Sequence, residues 1–432
     1  MGRLSVRTGA ILLVVACAIR SPGFSDSGEQ SVRKITYWSA SNPVETELAR
    51  KTVEEFEASG RGIRVHHQPI PAGRTSEEVI LSSIVSGTTP DVCSNIFPGI
   101  MGRLVAAKGL VALDDHSDLM RRILERTSAD QVHVFSHKDG KLYQLPWKVN
   151  PVMLGYDKEL FARKGLAPPR TYSEFLTVCE ALTEDIDGDG VVDRWGLYVD
   201  IKNDWYKRFF DVYTLYLGAS RGQTLIKEDQ IVLDVVAMGK VLNLFREAFE
   251  RGFIPRSTWR GAPLGDGRVG MRLISTFSLD TIAHNASPGF TLGVSPIPVP
   301  DDHEGPVYTF GDPKNIGIFT TVRDADAASQ FLEFMISDRI DKRLIQATHQ
   351  LPNRDDLLTN PMFSDLFEAD PILRSFAAAA GRTRGVDSTP HLVRIFDEMS
   401  QLFEACSMFD LIDGDGAAAR LKTRAAEIVE FW

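Results

Sequence analysis

The chain has 432 residues, of which 43% are hydrophobic and 25% charged, and a formal net charge of −10. That length exceeds one ordinary core and predicts two lobes or domains. The acidic balance, with no Lys/Arg cluster to offset it, argues against a polyanionic partner such as nucleic acid.

The first segment stands apart. Arg3 and Arg7 precede the apolar run GAILLVVACAI, about ten residues where a bilayer span needs about 20. A basic start before a short apolar stretch predicts a secretory signal over residues 1–24. Leu13-Val14-Val15-Ala16-Cys17 resembles the bacterial lipobox, which implies cleavage before Cys17 and lipid attachment to it. The same residues also allow plain secretion, with Ala16-Cys17-Ala18 as the cleavage site. Residues 25–33 read as a tether. Cys93, Cys179 and Cys406 remain. Their number is odd, their spacing fits no zinc site, and they read as buried small hydrophobes.

From Lys34 the pattern alternates. KITYW predicts a strand, and Ser41 or Asn42 can cap the helix ETELARKTVEEFEAS, whose Leu48, Val53 and Phe56 share one face. IRVHHQPI is a second strand, SEEVILSSIVSG a second helix and TPDVCSNI a third strand. This order predicts a parallel α/β sheet. Helical segments follow to about residue 130, then strands around HVFSHKDGKLYQLPWKVNPVMLGYDKELF, with Asp139-Gly140 turning a hairpin. TYSEFLTVCEALT, YKRFFDVYTLYLG, VLNLFREAFERGF and AASQFLEFMISDRIDKRLIQ predict further helices.

Between them lies DIDGDGVVDRWG, with the opening spacing of an EF-hand loop. Calcium would take Asp185, Asp187, Asp189, the Val191 carbonyl and Asp193, with Gly190 at the sharp turn. The twelfth position is Gly196 instead of Glu, and RWGLYV reads as a strand instead of an exiting helix. No sensor-like opening follows from such a loop. The alternative is a turn braced by Asp side chains on backbone amides. Asp413-Gly414-Asp415-Gly416 reads as a turn and helix cap.

The order and spacing of ITYWSASNP, SGTTPDVCS, GLVALDD, GKLYQLPWKVNPVMLGYDKELF, PPRTYSEF, DGDGVVDRWGL, RVGMRLISTFSL, LGVSPIPVP and TFGDPKNIGI resemble the sugar-type solute-binding proteins of ABC importers, a family that includes maltodextrin-binding proteins. The resemblance runs from about Lys34 to the C-terminus. It implies the two-lobed α/β periplasmic-binding-protein fold: an N-terminal lobe of 34–146 plus 296–322 and a C-terminal lobe of 147–295 plus 323–432. The crossings would fall at 148–152 and 294–298, stiffened by Pro151, Pro296 and Pro298. The lobes would close by hinge motion on a ligand between them.

Sugar rings stack on aromatic faces, and their hydroxyls need planar donors and acceptors. Ligands in open α/β sheets lie beyond the carboxyl ends of strands. That rule and the resemblance together select the candidates. Trp38, Ser41 and Asn42 follow the first strand, where Ser41 or Asn42 is either a helix cap or a contact. Asp91, a contact or a loop brace, and Asn95 follow the third. Trp147 and Asn150 lie in the hinge strand, where Trp147 could equally be a packing residue. Trp205 and Tyr206 begin a helix where relatives offer a stacking aromatic. Phe277 and Ser278 mark the second lobe's cleft edge. Gly311 and Asp312 resemble the family's Gly-rich loop. Trp259 is given no role.

The resemblance implies capture of a carbohydrate, an oligosaccharide or glycoside, and its delivery to ABC permease subunits by a monomer. No catalytic residue and no required cofactor are implied, and calcium would be structural. The same fold could instead hold a glycerol phosphodiester, a polyamine or a metal; a phosphorylated ligand would want Lys148 or Arg382 in the cleft. A receptor subunit signalling sugar to a membrane partner would use the same closure. A secreted glycosidase would need a carboxylate pair, for which Asp91 and Asp312 are the candidates. No GxxxxGK[ST], GxSxG or HExxH motif is present.

Overall fold

The computed structural model describes residues 32–73, 75–127, 132, 135–227, 230–386 and 389–431. The signal segment, Cys17 and most of the tether lie outside the described residues. Strands β1 (Arg33–Ser39), β2 (Ile63–Pro69), β3 (Val92–Ile96) and β4 (Leu145–Val149) come first. β5 (Val152–Asp157) and β6 (Trp195–Tyr198) follow, then a ribbon of β7 (Ile226–Lys227) and β8 (Gln230–Ile231). β9 (Val269–Ser275), β10 (Leu292–Ser295), β11 (Thr309–Phe310), β12 (Lys314–Ile318), β13 (Leu351–Pro352) and β14 (Thr383–Arg384) complete the chain order. Two larger sheets result, β13-β4-β12-β3-β1-β2 and β10-β5-β9-β6, while β11 pairs with β14 in a second ribbon. β1, β2 and β3 run parallel, and β12 runs against both β3 and β4.

Local chemistry explains the elements. Asn42 caps helix Pro43–Ala58, with Pro43 filling a first-turn position that needs no amide donor. The helix lays Leu48, Val53 and Phe56 into the core of the first sheet. Thr171 and Glu174 form a reciprocal capping box on helix Tyr172–Leu182. Gly140 has φ 82°, as the Asp139-Gly140 turn requires. No hairpin ladder precedes it, because Val132 and Phe135 are helical and the next strand begins at Leu145; His133 and Val134 lie outside the described residues. The YKRFF segment forms a single 3-10 turn, Trp205–Phe209, ahead of helix Val212–Ala219. Cys93, Cys179 and Cys406 are free and buried. No described helix is long and apolar enough to cross a membrane.

The sheets divide the chain differently from the expected lobe boundaries. Leu145–Val149 completes the first sheet, so the first crossing is the Asn150-Pro151 step between β4 and β5. Residues 296–308 do not return to the first sheet: Val299 exchanges backbone hydrogen bonds with Arg170 and Tyr172, beside helix Tyr172–Leu182. The return is made at Gly311–Pro313, between β11 and β12. Helices Ala325–Met335 and Asp338–Thr348 lie on the first sheet, where Phe331, Leu332, Met335 and Leu344 join the core of Tyr37 and Phe56. The last helices pack with the second sheet.

Candidate ligand-binding site

The two sheets meet where the Asn150-Pro151 and Gly311–Pro313 segments cross, and Asn150 stands in that junction, fully buried. Its amide nitrogen donates to the Asp312 carbonyl at 3.4 Å and to Gln350 Oε1 at 3.3 Å. Its Oδ1 accepts from Thr276 Oγ1 at 2.9 Å, and its carbonyl accepts from Ser275 Oγ at 3.0 Å. Its N–H donates to the Gly311 carbonyl. Asn150 therefore ties β4, β9, the 311–313 crossing and the approach to β13 into one knot. This differs from the expected sugar contact, because the side chain's hydrogen-bonding groups are already engaged within the protein.

A second buried group adjoins the knot. Lys148, wholly buried, pairs with Glu45 at 2.6 Å. Glu45 also accepts from Gln350 Nε2 at 2.8 Å and from Asn42 Nδ2 at 3.1 Å. Burial works to raise the Glu45 carboxyl, but the Lys148 ammonium and these donors outweigh it and hold it below the ordinary range. Burial lowers the Lys148 ammonium against the pull of Glu45. Lys148 is thus sealed in an ion pair, not presented to a phosphorylated ligand, whereas Arg382 is exposed.

The other candidates separate into those held inside and those left at the surface. Trp38 packs beside Ile70, Ile80 and Cys93 and is 7% exposed. Trp147 is 5% exposed in the first-sheet core, with the Lys148 ammonium 4.6 Å from its ring. Both rings are covered by the core, which for Trp147 is the packing alternative and for Trp38 leaves little surface for the expected ligand contact. Asp91 Oδ2 accepts from the Thr36 amide at 2.6 Å and hydroxyl at 2.9 Å, bracing β1 against β3. Gly311 donates its amide to the Arg384 carbonyl at 3.0 Å and gives its own carbonyl to Asn150. A Cβ there would lie 2.8 Å from Thr383 Cβ, so the glycine answers a close approach of chain to chain, not a ligand. Asn42 is exposed, but its Oδ1 caps the helix at 2.9 Å. Ser41 is exposed beside it, and Ser278 is half-buried.

What reaches the junction from both sheets is aromatic. Phe97, directly after β3, lies 5.5 Å from Phe209 and 6.5 Å from Trp205. Trp205 meets Tyr206 edge-on at 5.8 Å, and Phe210 meets Phe277 edge-on at 5.6 Å. Tyr206 is 38% and Phe277 45% exposed, values that mark them as an open rim. Asn95, half-buried at the end of β3, holds φ 67°, a backbone region sparsely used outside glycine. Asp312 also has a positive φ, 32°, and its carboxylate lies 3.3 Å from Lys314 Nζ. That ammonium sits 5.0 Å from the Phe97 ring centre. Sequence reasoning missed Phe97, Phe210 and Lys314. A strand-ending aromatic in SNIFPG was a signal for the first.

In the acidic loop, Asp185, Asp187 and Asp193 bring carboxylate oxygens within 4.8 Å of one another, and Asp189 is not in the group. Each carboxylate already accepts from the loop's backbone. Asp185 holds the amides of Gly188 and Gly190, and Asp193 those of Ile186 and Asp187. Asp187 holds Asp189, and Asp189 holds Val191. The donor set is hard oxygen, which suits calcium, but the same oxygens brace the turn unaided. Asp413 Oδ1 accepts from Gly416 N at 2.7 Å, the cap read from the second acidic turn.

Exposed aromatic rings thus form a rim beside a hydrogen-bonded crossing. Residues 51–374 match the model of the bacterial extracellular solute-binding proteins, and the chain belongs to that family. It is 26% identical over 233 residues to a diacetylchitobiose-binding protein of Streptomyces coelicolor, a match spanning 51% of this chain and 52% of that one. It is 21% identical to an sn-glycerol-3-phosphate-binding periplasmic protein of Agrobacterium fabrum, over 76% of each chain. The fold is that of a sugar-binding protein of Xanthomonas citri, with a TM-score of 0.76 and 20% identity across 92% of this chain and 97% of that one.

Proposed function

We propose that the protein captures a carbohydrate, an oligosaccharide or glycoside, outside the cytoplasm and hands it to the permease subunits of an ABC importer. The observation that carries this is the rim of Trp205, Tyr206 and Phe277, with Tyr206 and Phe277 exposed, beside a junction whose backbone crossings are knotted at Asn150. Aromatic faces of this kind suit the C–H faces of sugar rings. Two of the relatives above carry sugar or chitobiose binding in their names, which agrees with the reading. Export by the 1–24 signal, with Cys17 as a lipid anchor or the same region as a simple cleavage site, puts the site on the side where such solutes arrive.

The glycerol-3-phosphate relative and the Lys314 ammonium beside the rim favour a second reading, a phosphorylated polyol. A thermal-shift panel on the chain from Ser25 separates the two, using chitobiose and maltose oligomers, glycerol phosphodiesters, spermidine and metal ions. A ligand at 100 times its Kd stabilises by about 2.7 kcal/mol. A shift with a sugar, lost in Trp205→Ala and Phe277→Ala, supports the first reading. A shift with the phosphodiester alone supports the second. Silence with steady consumption of sugar would overturn both in favour of an enzyme.

A further inference from the structure

The Trp205–Phe209 turn is five residues of 3-10 helix, too short to hold two large aromatic rings at a fixed angle by its own hydrogen bonds. Something else must set it. Arg208, in the same turn, is 1% exposed, and burying a guanidinium costs several kcal/mol unless it is well partnered. Its polar partners flank the turn in sequence, and an aromatic ring covers it from another helix. Nη2 is 2.9 Å from Asp211 Oδ2 and also donates to the Asp200 carbonyl, just beyond β6. The guanidinium carbon lies 4.2 Å from the centre of the Phe403 ring, at the end of helix Leu392–Phe403. Asp211 in turn accepts from Val212 N at 2.6 Å through Oδ1 and so opens the next helix. Thr214 Oγ1 closes the segment on the Phe209 carbonyl at 2.7 Å. Asp200 serves twice: its carbonyl takes Arg208, and its carboxylate pairs with Lys207 at 2.7 Å. The Lys207 ammonium lies 5.4 Å from the Tyr206 ring.

Side chains three apart eclipse in a 3-10 helix, so Arg208 lies on the same side of the turn as Trp205. We propose that Arg208 and Asp211 are positioning residues for the Trp205–Tyr206 platform, an internal clip that fixes the angle at which these rings, packed beside the buried Phe97, face the ligand. The effect on binding rests on the carbohydrate reading; the effect on the rings does not. The guanidinium suits the task because Nη2 reaches the Asp211 carboxylate and the Asp200 carbonyl while the planar group lies over the Phe403 ring, a stacking that an ammonium on a flexible stem does not reproduce.

The test is the emission of Trp205, obtained as the difference between each variant and the same variant carrying Trp205→Phe, together with calorimetric binding of chitobiose or maltotriose, whichever the wild type takes. Arg208→Met is expected to red-shift the Trp205 component and weaken sugar binding at least tenfold. Arg208→Lys keeps the charge opposite Asp211 and is expected to restore part of both. An Arg208→Met protein with wild-type Trp205 emission and wild-type affinity would overturn the proposal. If Arg208→Met does not fold, Arg208→Lys decides: a displaced emission supports the clip, and an unchanged one refutes it. A wild type that binds neither sugar defeats the carbohydrate reading, while the emission still decides the clip.

Discussion

Replacing Asn150 by Ala probes the knot between the sheets. The side chain makes three buried hydrogen bonds, to Thr276 Oγ1, the Asp312 carbonyl and Gln350 Oε1, at 2.9–3.4 Å. Gln350 keeps its Nε2 bond to Glu45, but its Oε1, the Thr276 hydroxyl and the Asp312 carbonyl lose this partner. A buried polar group left unpaired costs about 1–3 kcal/mol, so Asn150→Ala is expected to lose about 3 kcal/mol in total. Asn150→Asp keeps the shape and can still accept from Thr276. It brings a carboxylate against two oxygens where the amide had donated, and is expected to lose more than Ala. Urea unfolding followed by near-ultraviolet circular dichroism reads both values. A loss below about 1 kcal/mol for Ala, together with abolished sugar binding, would show that the Asn150 amide serves the ligand and that the knot is misread.

The Glu45–Lys148 pair gives a double-mutant cycle. Glu45→Gln or Lys148→Met alone leaves one buried charge unpaired and is expected to cost about 3–5 kcal/mol, while the double variant costs clearly less than the sum. Additive losses would mean that the ions do not depend on each other. Gly196→Ala puts a Cβ 2.5 Å from the Cys179 carbonyl oxygen, which as backbone cannot turn aside; a loss of about 1–3 kcal/mol in urea is expected, and none would mean that helix and strand can part there. Burial pushes the Asp211 carboxyl up to about 6 despite Arg208. The folded state therefore favours its neutral form, and the stability it lends is present at low pH and lost as pH rises through about 6. Measured against Asp211→Asn, the wild type should lose about 3 kcal/mol between roughly pH 4 and pH 7, and a flat or rising difference would contradict the shift.

The alternation of strands and helices was legible because it is local. Asn42 before Pro43 and Thr171 before Glu174 are contiguous signals, and the core face of the first long helix follows from its period. The fate of the polar candidates was not legible. Asn150 finds Thr276 and Gln350 at sequence separations of 126 and 200 residues, and Lys148 finds Glu45 across 103. No short window shows that a polar side chain is already satisfied. The same holds for Trp38 and Trp147: their types suit stacking, but only the packed sheet shows that their faces are covered. Trp205, Tyr206 and Phe277 lie in short 3-10 turns next to longer elements, where a ring need not be fully buried, and all three keep some surface. Helices 325–348 carry no mark of which sheet they cover, which is why the lobe boundary was misplaced.

The strand order also has a kinetic side. β12 lies between β3 and β4, so the middle of the first sheet is filled only after the whole second sheet has left the ribosome. Until Lys314–Ile318 arrives, β3 and β4 each present an unpaired edge, and unpaired edges recruit other chains. Late, long-range closure of this kind slows folding. A truncation ending before Lys314 should aggregate instead of forming a stable first lobe.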